Sequence, residues 1–89
     1  MKDNLPEKEI DIHGTISYRL NGKFHREDGP AKKFISGTEF WLVDGNYHRM
    51  DGPAVSYANG YQEWWILGRR LSCRNQDEFE RLIKLRSLW

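Results

Sequence analysis

Two stretches decide how this chain is read: NGKFHREDGPA, Asn21–Ala31, and DGNYHRMDGPA, Asp44–Ala54, the same phrase written 23 residues apart. The spacing extends beyond the phrase. His13-Gly14, Ser36-Gly37 and Asn59-Gly60 fall in step, and so do Asn21-Gly22, Asp44-Gly45 and Leu67-Gly68. One aromatic sits between each pair of glycine turns: Tyr18, Trp41 and Trp64. A fixed period of this size marks a repeat architecture, in which each unit is one supersecondary module that buries its apolar side only against its neighbours. A third copy opens near Asn59 but loses the phrase. Leu71-Ser72 replace His-Arg, and Arg74-Asn75-Gln76-Asp77 replace Asp-Gly-Pro-Ala. Terminal repeats depart from the rest because they cap the array.

Asn-Gly and Asp-Gly between short β-prone runs are strong hairpin signals, since both central positions tolerate positive φ. The runs between turns place strands at about 8–12, 15–20, 23–26, 31–35, 38–43, 46–49, 54–58, 61–66 and 69–72, with loose edges. Short connections favour antiparallel neighbours. The expected fold is therefore mainly β: an antiparallel meander sheet of three 23-residue hairpin repeats, over 13–35, 36–58 and 59–74, followed by one C-terminal α-helix. The helix is expected over 76–88, where "QDEFERLIKLRSL" has no Gly or Pro. Asn75 is placed to cap it, with Glu78 completing a capping-box pattern. Acidic residues early and basic residues late suit the helix dipole.

The chain has 89 residues, which suits one domain, 1–89. A domain this small buries only roughly 60–65% of its unfolded surface and needs reinforcement. One cysteine, Cys73, excludes an internal disulfide and suits a reducing compartment. Three histidines and one cysteine at scattered spacing do not make a zinc site, and no cofactor is expected. Oligomerisation is the reinforcement left, so a homo-oligomer is expected. The net charge of +1 gives no strong one-signed field. From Arg69 onward, however, six cations face three carboxylates, a mild basic bias. The opening residues lack the apolar core of a signal peptide. The longest fully apolar run is "WWIL", Trp64–Leu67, far too short to cross a bilayer. A soluble cytoplasmic protein with no membrane contact is the expectation.

The repeated phrase reads first as shape. Asp bonds the backbone ahead of it, Gly takes unusual conformations and Pro fixes φ. A structural corner is expected from His25, Arg26, Asp28, Gly29 and Pro30, and again from His48, Arg49, Asp51, Gly52 and Pro53, with each Arg holding its Asp. A chemical reading competes: His25 with Asp28, or His48 with Asp51, as an acid–base pair of a small hydrolase. Catalysis needs one asymmetric constellation, whereas this group recurs with the structural period, so shape is the preferred reading and no catalytic residue is assigned. A metal shared by His25 and His48 would lack further ligands in phase, so no metal site is assigned either.

Alternation gives the central strands two faces. Tyr18 and Leu20, Trp41 and Val43, Trp64 and Ile66 make one apolar face, the expected core. The other carries Ser17 and Arg19, then Phe40 and Leu42, then Glu63 and Trp65. Two readings of this second face stand side by side: it is covered by the terminal helix, or it is exposed and binds something. Phe79, Leu82, Ile83, Leu85, Leu88 and Trp89 spread over roughly 220° of a helical wheel, wider than one core-facing stripe. The expected protein-contact set is thus Phe40, Leu42, Trp65, Leu85, Leu88 and Trp89, with self-association through the helix and the Phe40/Leu42/Trp65 face. Cations beside aromatics also suggest single-stranded RNA. The candidate RNA-binding set is Lys23, Arg26, Lys32, Lys33, Arg69, Arg70 and Arg74, interleaved with Phe24, Phe34 and Trp65. Solvated strands with lysines guarding a sheet edge are the plainer account of the same residues.

The phrase HREDGPA, in its setting NGKFHREDGPA and DGNYHRMDGPA with a Tyr or Trp upstream, resembles a repeat of small proteins of tailed bacteriophages. It is more distantly similar to the β-hairpin repeats called MORN. The resemblance covers about residues 13–72 and leaves out the helix. It implies an interaction scaffold without catalytic residues. By analogy with early phage accessory factors, it implies an inhibitor of a host defence protein such as a toxin endoribonuclease, acting in the host cytoplasm and with RNA involved. A sequence-indifferent RNA-binding module is the alternative within the same class.

Overall fold

The computed structural model describes residues 5–86. Among the described residues ten short strands precede one helix: β1 (Glu7–Ile10), β2 (Ile16–Leu20), β3 (Lys23–Phe24), β4 (Lys32–Lys33), β5 (Glu39–Phe40), β6 (Leu42–Val43), β7 (Asn46–Tyr47), β8 (Val55–Ser56), β9 (Gln62–Ile66), β10 (Arg69–Leu71) and α1 (Gln76–Arg86). Every strand pairing is antiparallel. The main sheet runs β1-β2-β4-β5-β8-β9-β10, with β3 also on β2, and β6 and β7 form a separate two-stranded piece.

Register shows why β3 and β4 both lie on β2. Leu20 and Arg19 pair with Lys23 and Phe24; Ser17 and Ile16 pair with Lys32 and Lys33. The two short strands are successive pieces of one lane. Tyr18 marks the join. Its carbonyl accepts from His25 N–H at 2.9 Å, and its own N–H donates to Ala31 at 2.8 Å. Arg26–Pro30 therefore loop out of a lane that otherwise continues straight. At Trp41, 23 residues on, the carbonyl accepts from His48 N–H at 3.0 Å and the N–H donates to Ala54 at 2.7 Å, so Arg49–Pro53 loop out in the same way. The phrase is thus not a bend in the ribbon. It is an excursion from it, and the ladder resumes at the phrase's last alanine. The expected strand over 38–43 is divided into β5 and β6 around Trp41, and the lane of β7 and β8 is divided around its own loop.

The hairpin turns have the backbone that the sequence implies. Asn21, Asp44 and Leu67 have φ of 53°, 52° and 47°, and each following glycine has 81°. Two successive positive values make the tight turn that matches strand twist. Leu67 is the costly member, since Asn and Asp enter this region with help from local side-chain hydrogen bonds that Leu cannot make.

The slab measures 41 × 38 × 16 Å, one sheet thick with side chains on both sides. Its buried apolar residues are few: Ala31, Leu42, Ala54, Val55, Trp64, Leu71 and Phe79. The densest cluster lies under α1, where Trp64, Leu71 and Phe79 pack together, flanked by Ile66, Cys73, Leu82 and Ile83. The helix therefore covers the Trp64/Ile66 face, and only at its last unit. Its start follows Asn75, whose Oδ1 accepts from Glu78 N–H at 2.9 Å. The return arm of the capping box reaches one residue further than the pattern implies: Glu78 accepts from Arg74 N–H at 2.8 Å. The helix is described to Arg86; the expected last turn, with Leu88 and Trp89, lies outside the described residues.

Candidate functional site

The two looped-out segments share one construction. Arg26 folds back so that its guanidinium carbon lies 4.1 Å from the Tyr18 ring centroid, and Arg49 lies 3.7 Å from that of Trp41. Each Nε–H donates to the nearby aspartate, Asp28 at 3.0 Å and Asp51 at 2.9 Å. Each terminal N–H donates to a proline carbonyl, Pro30 at 3.4 Å and Pro53 at 3.2 Å. The opposite side of the guanidinium rests on glycine. A Cβ on Gly29 or Gly52 would stand 2.7 or 2.6 Å from the guanidinium carbon. Ring, cation and glycine form a sandwich, and the planar Arg fork is what lets one cation stack and hydrogen-bond together.

The histidines serve the neighbouring turn. His25 Nδ1 accepts from Asp44 N–H at 3.0 Å, and His48 Nδ1 accepts from Leu67 N–H at 3.1 Å. Both bonds cross 19 residues and satisfy the first positive-φ residue of the next hairpin. At Nδ1 the histidines act as acceptors, and they are not partners of Asp28 and Asp51, which the arginines hold. Arg49 keeps the Asp51 carboxyl below its ordinary range. Burial, largest among the causes, pushes the Cys73 thiol up, so it stays protonated at neutral pH.

The opposite face gathers rings and cations. Register places Arg19, Phe24, Lys32, Phe40, Leu42, Tyr47, Glu63, Trp65 and Arg70 on it together. Phe40 is its hub: Phe34, Tyr47 and Tyr57 meet it edge-on at 5.2, 5.5 and 6.1 Å between centroids. Tyr47 continues to Trp65 at 5.0 Å, and Tyr57 stacks on Tyr61 at 5.8 Å. Cations are woven into the same field. Arg19 lies 4.4 Å and Lys32 4.7 Å from the Phe24 centroid, Lys32 also lies 5.5 Å from Phe34, and Arg70 donates to the Tyr61 hydroxyl at 2.7 Å.

This geometry regroups the residues singled out in the sequence. Phe40 and Trp65 sit half-buried within the ring face, while Leu42, on the same face, is only 7% exposed and offers little surface to a partner. Leu85, 55% exposed, is on the helix and so on the other side of the slab. The helix and the Phe40/Leu42/Trp65 patch therefore do not form one surface. Of the cations, Lys32 and Arg70 join the ring face. Arg26 is locked in its sandwich. Lys23 and Arg69 pair with Leu20 and Ile66 on the loop face, and Lys33 pairs with Glu39 there at 3.6 Å. Arg74 is bound to Glu78 at 2.8 Å. The seven do not form one basic patch. Sequence reasoning put Arg19 on this face without choosing it as a contact residue, and it passed over Tyr47, Tyr57 and Tyr61. The period offered the signal: Phe24 and Tyr47 are 23 apart, as are Phe34 and Tyr57.

Among the described residues no group of three or more metal-ligating side chains converges. No helix of the described residues is long and apolar enough to cross a membrane, which leaves crossing by strands unaddressed. Compared with protein-family models, curated proteins and solved structures, the chain matches none.

Proposed function

We propose that the chain is a non-enzymatic binding protein that seats a protein partner on its ring face, in the manner of a phage accessory factor that inhibits a host defence protein such as a toxin endoribonuclease in the host cytoplasm. One observation carries the reading: Phe34, Phe40, Tyr47, Tyr57, Tyr61 and Trp65 form one run of neighbouring rings on one side of the sheet, and Lys32 links that run to Phe24. Aromatic residues with arginine at their margin are the side chains that dominate protein interfaces. The recurring His, Arg and Asp have structural duties, which supports a binding role over a catalytic one.

The test is a pull-down from host cells, with the captured protein identified and its affinity measured against the wild type and against Tyr57→Glu with Tyr61→Glu. Both tyrosines are exposed, so the fold is expected to survive. A loss of about thirtyfold or more, the size of an interface hot spot, is expected. Unchanged affinity removes the ring face as the docking surface. RNA is the second reading, favoured by Lys32 and Arg19 lying against Phe24. It predicts a salt-dependent gel shift that Lys32→Glu weakens, and a pull-down that ribonuclease abolishes. Self-association is part of the proposal through the outer side of α1 around Leu85. Sedimentation showing a monomer at high micromolar concentration excludes it.

A further inference from the structure

The two looped-out segments are near copies, and one substitution between them leaves a gap. In the first, His25 Nδ1 is committed as an acceptor, so the ring proton is on Nε2, which donates to Glu27 Oε2 at 3.2 Å. In the second, His48 Nδ1 is committed in the same way to Leu67 N–H. Met50 stands where Glu27 stood and offers no acceptor, and no hydrogen bond from the described residues reaches His48 Nε2–H.

His48 lines a cleft of about 380 Å³ between the two loops, together with Arg26, Arg49, Trp41, Glu27 and Asp51. Donors are in surplus there. Each guanidinium spends only its Nε–H and one terminal N–H on Asp and Pro, out of five N–H groups. Trp41 lines the cleft too, and its indole N–H is buried with no acceptor. Each of the two carboxylates on the wall has one oxygen engaged, Glu27 Oε2 by His25 and Asp51 Oδ1 by Arg49.

We infer that this cleft, on the face away from the rings, binds a carboxylate that accepts from His48 Nε2–H and the outer arginine N–H groups, as Glu27 does for His25 from within the chain. The carboxylate comes from an acidic side chain of a polypeptide or from a small free acid. Arg–carboxylate pairing supplies both charge and planar fit.

Amide and ring resonances of the ¹⁵N-labelled full chain, followed by NMR at neutral pH, test this with three probes: sodium acetate, a short blocked peptide with one glutamate, and the same peptide with glutamine. Sodium chloride serves as the ionic control. Acetate and the glutamate peptide are expected to move the Trp41 indole and His48 ring signals saturably, and the glutamine peptide to leave them in place. Tighter binding of the peptide than of acetate assigns a polypeptide source; equal binding assigns a small acid. Met50→Glu places a tethered carboxylate at the gap and is expected to abolish the response, whereas Met50→Ala retains it. Met50 is half exposed, so both variants are expected to fold. Equal response to the glutamine peptide, no saturable shift with any probe, or undiminished binding by Met50→Glu overturns the inference.

Discussion

Trp41 and Trp64 occupy the same place 23 residues apart, and the chain closes over them by opposite means. Trp41 is roofed by a charged loop: the Arg49 guanidinium lies on its ring, with Gly52 behind and Asp51 and Pro53 at the rim. Trp64 is roofed by an amphipathic helix, with Phe79 1% exposed against it and Gln76 accepting its indole N–H at 2.8 Å. The Trp41 indole N–H has no such partner. A loop of five residues covers one ring and returns the chain to its own lane, so another unit can follow. The helix takes the chain out of the sheet. It also ties back to the preceding loop, since Gln76 donates to the Met50 carbonyl at 3.1 Å. Arrays of this kind end where a cap replaces the interface that the next unit would have supplied.

The comparison breaks most readily at the helix. Phe79→Ala is expected to cost about 3–5 kcal/mol, the range for truncating a buried aromatic, and to lower the urea midpoint more than any change in the loops. A loss no larger than that of Arg49→Ala would show that the helix is an accessory and not the closure of the last unit.

Next in size are the two changes that open the sandwich. Arg49→Lys keeps the charge but loses the planar fork and most of the stacking, with an expected cost of about 1–2 kcal/mol. Gly52→Ala pushes a methyl into the guanidinium and is expected to cost a similar amount, about 1–2 kcal/mol. The two act through one contact, so in an Arg49→Ala background Gly52→Ala is expected to cost little. A double-mutant cycle measured by denaturation checks this, and full additivity would sink the account of the glycine.

The smallest effect is acid sensitivity at the loop. Arg49 lowers the Asp51 carboxyl below its ordinary value in the folded state. A depressed pKa contributes stability above the unfolded value of about 4, and that contribution fades as pH falls through the folded value. Asp51→Asn is therefore expected to be slightly less stable at neutral pH and to lose less on acidification. Parallel pH profiles for the variant and the wild type would remove Asp51 from the ledger. The carboxylate is 80% exposed, so the difference is small.

Much of this was legible in the primary structure. The 23-residue recurrence, the Asn-Gly and Asp-Gly turns and the Asn75 cap are local signals, carried by residues whose backbone preferences act over two or three positions. The role of the phrase was half legible. Asp28 held by Arg26 follows from their spacing, but the aromatic beneath the guanidinium is eight residues upstream in the partner lane, and no local rule reaches it. The seven suggested RNA contacts scattered for a related reason. Proximity along the chain placed Lys32 beside Lys33, and alternation sent them to opposite faces.

The sequence by itself determined that the chain is a hairpin series with a helical end, because turn geometry and helix capping are decided within a few residues. Only the tertiary structure decided that the phrase loops out of a continuous lane, that the helix roofs Trp64, and that rings from separate units join on the other face. Those outcomes depend on register, and register is set by which distant backbone groups find each other once the strands lie side by side.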